Sequence, residues 1–194
     1  IDVAAVAAAA GAVFVRDQAL ELRWRERELV LRDRPPLRYD LLSLDIGSQT
    51  ALPPLEDGAR LSPAFLATRP FALFRQTLTH WDAAMAREPK RRVLVLGSGA
   101  AGLELSCALR ARFPEAPITL LEGSQPLGRS ARAALRGLRI ESAAPGPALW
   151  IERAGDGLRV RCEKETLTSD FLVAATGAAA HPLVRASGLP ERDG

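Results

Sequence analysis

The sequence predicts an α/β fold: a mostly parallel sheet with helices on both faces, carrying an antiparallel β-meander. Three observations predict it. Short, nearly uniform apolar runs at 92–96, 118–122 and 171–175 punctuate helical stretches, the pattern of strands buried on both faces and joined by crossover helices. A turn with glycines at 97, 99 and 102 stands at the exit from the first run. Residues 148–153 and 159–163 alternate apolar and polar around Asp156-Gly157, which reads as a half-solvated hairpin.

Composition bounds the function. The chain has 194 residues, 47% apolar and 25% charged, enough for one large domain or one domain and part of another. That excludes a disordered tail, a collagen-like fibre and a disulfide-stapled mini-protein. No uncharged apolar stretch reaches the roughly 18 residues that a membrane span needs. Residues 3–15 are apolar, but Asp2 precedes them without a basic region, a poor secretory signal. Net charge is +3, with acidic residues interleaved among 24 arginines and two lysines. This describes a solvated surface rather than a nucleic-acid footprint. Cys107 and Cys162 stand too far apart for a CxxC redox or zinc motif, and His80 and His181 are the only histidines. The thiols are expected to be buried in a reducing cytoplasm, with no metal site.

In chain order, residues 2–10 read as an Ala-rich helix capped by Asp2 and ended by Gly11. Residues 12–16 read as a strand, and 19–24 with 28–32 as a hairpin. Pro35-Pro36 breaks the chain. Residues 39–46 read as a buried strand ending in Gly47-Ser48, despite Asp45. Residues 50–63 form a loop. Phe71, Phe74, Leu78, Trp81 and Met85 recur three or four apart, predicting a helix over 71–87. A helix opens at Gly97 and runs to about 113, and another covers 130–136. The final third reads as strands at 139–142, 148–153, 159–163 and 171–175. An apolar strand ending in glycine thus occurs twice, at 39–47 and 171–177.

The chemistry resides at residues 93–102, VLVLGSGAAG. A bare GxGxxG is weak evidence. Here it follows a strand, opens a helix and lies in a βαβ unit whose second strand ends in Glu122, twenty residues after Gly102. That combination is the dinucleotide-binding fingerprint. Gly97 allows the tight turn, Gly99 the approach of a pyrophosphate, and Gly102 the packing of helix on sheet. The amides of Ser98, Ala100 and Ala101 stand at the positive end of the helix dipole. Glu122 would accept the adenosine ribose hydroxyls and repel a 2′-phosphate, favouring NADH over NADPH. Gly123 and Ser124 follow it, and Arg129 is the nearest base. Glu104 reads either as an exposed helix residue or as a group facing the nicotinamide end.

RRVLVLGSGAAGLELSCAL, ITLLEGSQPLG and SDFLVAATGAAAHPLVRASGL together resemble the pyridine nucleotide-disulfide oxidoreductase family. In that family a Rossmann-like three-layer NAD(P)-binding domain interrupts an FAD-binding domain. Ala175-Thr176-Gly177 is similar to the family's ATG motif. YDLLSLDIGSQT resembles the matching strand of the FAD domain, with Asp45-Ile46-Gly47-Ser48 in place of ATGS. The SLDIGS wording is similar to a branch related to type II NADH dehydrogenases, found fused or adjacent to selenide, water dikinase. The resemblance implies three segments: 1–67 as a partial FAD-binding domain, 68–177 as the NADH-binding domain and 178–194 as the return. Gly47 and Gly177 join residues 97–102, Glu104 and Glu122 as cofactor-binding positions. The family's first GxGxxG and its later GD motif are absent from residues 1–194, and the chain opens on Ile1 in mid-pattern. It is therefore expected to be a piece of a longer protein that binds FAD.

The implied function is hydride transfer from NADH to flavin, then to a second acceptor, with no acid or base from this stretch. The partners expected are nucleotide cofactors, a second copy of the chain and selenide, water dikinase. The alternative is a non-catalytic NAD(H)-sensing or scaffolding module attached to a partner enzyme. A methyltransferase shares the glycine-rich turn, but the ATG segment argues against it.

Overall fold

The structure, a computed structural model, describes residues 2–123 and 126–189. Its elements are α1 (Val3–Ala9), β1 (Ala19–Arg23), β2 (Glu28–Leu31), β3 (Leu37–Arg38), β4 (Gln49–Thr50), α2 (Asp57–Arg60), β5 (Phe65–Ala67) and α3 (Phe71–Arg87). Then come β6 (Val93–Leu96), α4 (Ala100–Arg112), β7 (Ile118–Leu121), α5 (Arg129–Gly137), β8 (Ile140–Ala143) and β9 (Ala148–Ala154). The chain continues through β10 (Gly157–Cys162), β11 (Thr166–Ser169), β12 (Phe171–Ala174), β13 (Ala178–Ala179) and α6 (Pro182–Ser187). They fall into two compact units, one of 48–179 and one of 1–47 with 180–194.

The larger unit is built on a five-stranded sheet of order β5-β12-β6-β7-β8. Every neighbouring pair in it is parallel. Parallel strands need crossovers, and α3, α4 and α5 supply them. The sheet is therefore covered on its faces, and every residue of β6 and β12 is buried. Trp81 of α3 is fully buried, stacks on Phe171 with ring centroids 4.5 Å apart, and donates its indole N–H to the Pro63 carbonyl at 2.8 Å. That bond satisfies the ring's polar atom, so the whole side chain contributes apolar burial.

Between β8 and β12 the chain makes the antiparallel meander β9-β10-β11. Its inward residues Ile151, Leu158 and Val160 join the same core. Ala154 faces Gly157, so the hairpin turn is Gly155-Asp156, one residue earlier than expected, with Gly155 at φ 64°. Sequence reading left out β5 and β11, and also the two-residue strands β3, β4 and β13. Residues 139–142, read simply as one of several late strands, correspond to β8, the parallel edge of the main sheet.

In the smaller unit, Asp2 caps α1 through its Oδ1, which accepts the Ala4 and Ala5 amides at 3.0 and 3.2 Å. β1, β2 and β3 form an antiparallel sheet with Leu22 and Leu31 buried. α6 packs on β1, and the Trp24 indole donates to the Ser187 carbonyl at 3.1 Å. Two expectations fail here. Residues 12–16 and 39–46 are not strands. Val13 is 89% and Leu41 90% exposed, and Leu44 and Ile46 are exposed as well. An apolar run becomes a buried strand only where a neighbour takes up its hydrogen bonds and another layer covers it. Among the described residues neither run has a paired strand beside it, though the Tyr39 amide at the start of the second donates to the Arg27 carbonyl at 3.1 Å. The echo between 39–47 and 171–177 is thus one of composition, and only the second is a strand.

Candidate functional site

The order of the main sheet creates the site. From β6 the chain winds outward through β7 to β8, then returns through the meander to place β12 on the other side of β6. The chain leaves β6 toward β7 on one side and re-enters the sheet at β12 on the other, so the strand order reverses between β6 and β12; open α/β sheets bind ligands in the crevice at the carboxyl ends of strands at such switch points. A cleft of about 440 Å³ lies there. Four of the five parallel strands contribute to its lining: β5 through Thr68 and Arg69, β6 through residues 97–101, β7 through Gly123 and β12 through residues 175–178.

The three motif glycines answer to different constraints. Gly97 sits at φ 112°, and a Cβ there would come within 2.5 Å of the Ala175 carbonyl oxygen. Both the backbone conformation and the closeness of β12 therefore require glycine. At Gly102 a Cβ would run into the carbonyl oxygen of Gly97, so this glycine lets the start of α4 pack on the turn. Gly99 differs. Its φ is −71°, and a Cβ would meet nothing within 4 Å. Neither the backbone nor any described neighbour demands glycine there, and the space beside it is the cleft.

Gly99 is also the N-cap of α4 and provides no side-chain cap. The first-turn amides, those of Ala100 and Ala101 among them, have no intrahelical partner and stand at the positive end of the helix dipole. Both residues and Ser98 line the cleft. Among the described residues Arg69 is the one charged residue in the lining. Its amide donates to Thr50 Oγ1 at 3.0 Å, and the Thr50 and Thr68 hydroxyls bond to one another at 3.0 Å. On the other wall β13 pairs with β4, and the Thr176 hydroxyl donates to the Ala51 carbonyl. The 49–51 segment thus fixes both sides of the cleft mouth.

Glu122 directly follows β7 and is 2% exposed. Its Oε2 accepts the Leu127 amide at 2.8 Å and Nη2 of Arg132 at 2.7 Å. Gly177 lines the cleft at φ 98°. Glu104 is exposed on α4 and outside the lining, and Gly47 belongs to the smaller unit at φ 68°. The motif and Gly177 are thereby brought together. Arg69 and Arg132 were missed from sequence. A four-residue apolar run at 64–67 before Thr68-Arg69 was the available signal for the first. The second had none beyond its place on a basic helix. Ser124 lies outside the described residues.

No protein-family model matches the chain, and no curated protein matches it. Solved structures do. Putidaredoxin reductase, in its covalent complex with putidaredoxin, has a TM-score of 0.73 at 21% identity, over 100% of this chain and 48% of that one. An HOCl-induced flavoprotein disulfide reductase from Escherichia coli gives 0.63 at 19%, over 91% and 39%. A water-forming NADH oxidase from Lactobacillus brevis, bound to NADH, gives 0.64 at 16%, over 86% and 38%. The likeness is one of fold: a parallel sheet flanked by helices, shared with part of each of these structures. The chain spans less than half the length of each of these structures.

Proposed function

We propose that this chain carries the NADH-binding domain of a pyridine nucleotide-dependent flavin oxidoreductase. One observation carries the reading: Gly99 keeps open a space that no group among the described residues fills, at the amino end of α4 and at the switch point of the sheet. A diphosphate fits that space. It is anionic, it needs close approach to backbone, and the first-turn amides answer its charge. Residues 97–102 hold the diphosphate, with the Arg69 guanidinium as a counter-charge at the mouth. Glu122 marks the adenosine ribose and favours NADH. Gly177 lets the backbone approach the cofactor from the β12 side, Glu104 faces the nicotinamide end, and Gly47 belongs to a flavin-contacting turn.

When bound, NADH and FAD supply the redox chemistry, a hydride passing from nicotinamide to flavin. The part of this chain is orientation and electrostatics. On this reading 68–177 form the NADH-binding domain, 1–67 and 178–194 belong to the flavin-binding one, and the protein acts in the cytoplasm as a homodimer. The wording of residues 43–48 supports a link to selenide, water dikinase, which co-purification of the two proteins tests. The reading as a whole is tested by adding NADH anaerobically to the full-length flavin-loaded protein. Bleaching of the flavin absorbance supports it. A protein that binds NADH but carries no flavin favours the sensing module instead.

A further inference from the structure

The expectation of a lone carboxylate at the end of β7 meets a different arrangement. Glu122 is almost wholly covered, and the exposed charged group beside it is Arg132, whose side chain is 38% exposed and 2.7 Å away. The two form an ion pair of no net charge. A carboxylate discriminates against a 2′-phosphate by repulsion, and pairing with a guanidinium cancels that repulsion. Arg132 gives Nη2 to Glu122, and its buried Nε has no partner among the described residues. A guanidinium has five N–H groups, so donors remain for a second oxyanion.

The helix that carries it points the same way. α5 has arginines at 129, 132 and 136 and no acidic residue. At that spacing the three lie on one face of the helix. Gly123, which directly follows Glu122, lines the cleft. The adenosine end of a dinucleotide whose diphosphate rests on residues 97–102 would therefore meet a basic ridge.

We propose that Arg132 is a specificity-determining residue that, by pairing with Glu122, opens this cleft to NADPH as well as NADH. The proposal rests on the dinucleotide reading of the cleft. It narrows the preference for NADH, which an unpaired Glu122 would make wide, to within about tenfold.

The test is titration of NADH and NADPH, and of ADP-ribose and its 2′-phosphate as probes of the adenosine end alone, at one salt concentration. Wild type should bind both coenzymes within about tenfold of each other. Arg132→Ala should widen the ratio at least about tenfold toward NADH, the loss of a charge-assisted bond to phosphate. Arg132→Lys should widen it less, keeping charge without the planar fork. Arg132→Ala leaves a buried carboxylate unpaired, so the double variant Glu122→Gln/Arg132→Gln serves if it fails to fold. That variant should likewise lose 2′-phospho-ADP-ribose more than ADP-ribose. A wild type that prefers NADH by more than about a hundredfold, or variants that weaken both coenzymes equally, overturn the proposal and leave the cleft reading standing. A wild type that binds neither coenzyme overturns both.

Discussion

Gly97, Gly99 and Gly102 look alike in sequence and differ in the fold, and that difference separates structure from function. Gly97→Ala forces a side chain into φ 112° and against the Ala175 carbonyl. Gly102→Ala forces one against the Gly97 carbonyl. Each should destabilise the fold by about 1–3 kcal/mol, the usual cost of overpacking a tight site, read as an earlier denaturation midpoint. The cysteines give a second prediction at this scale. Cys107 is exposed and Cys162 buried. Burial, with the charge of Glu165 behind it, pushes the Cys162 thiol up from its ordinary range. The reactive thiolate is thus disfavoured there at neutral pH. A thiol reagent should modify Cys107 first, with Cys162 reacting only on unfolding or at higher pH. Equal rates in the native protein would contradict this. The turn was legible in sequence because Gly97 and Gly102 serve local backbone needs and Gly99 completes the spacing. Arg69 and Arg132 were not, since their importance comes from strands and helices that meet only in the fold.

At the scale of elements, burial decides what forms. β6 and β12 were legible because both faces are covered, so every residue is apolar. The run at 39–46 has four Leu and Ile residues but also Asp40, Ser43 and Asp45, and it forms no strand, for sequence states what a segment would bury but not what is there to cover it. β5 was passed over because three residues carry no period, and its place follows from pairing with β12. The joint between α3 and the sheet gives a prediction. Trp81→Ala removes a fully buried ring stacked on Phe171 and leaves the Pro63 carbonyl without its donor. It should cost about 3–5 kcal/mol. The bidentate pair of Asp82 with Arg112, at 2.7 and 2.6 Å, ties α3 to α4 at the surface. Asp82→Ala should cost less than about 1 kcal/mol, as exposed pairs do. A larger loss from Asp82→Ala than from Trp81→Ala would mean that the core is not where burial places it.

For the whole molecule, the order β5-β12-β6-β7-β8 matters more than any one residue. It gathers the carboxyl ends of four parallel strands into one cleft, and it sets a helix terminus beside a glycine whose missing side chain nothing among the described residues explains. The central claim is that this cleft binds a pyridine dinucleotide through its diphosphate. Calorimetric titration of NADH into the wild-type chain and into Gly99→Val tests it most directly, with circular dichroism to confirm that the variant is folded. Because a Cβ at 99 enters open space, Gly99→Val should keep the wild-type spectrum and lose no more than the roughly 1 kcal/mol of a poorer N-cap, while losing saturable NADH binding. A folded Gly99→Val that binds NADH as tightly as wild type, or a wild type that binds none, would contradict the account.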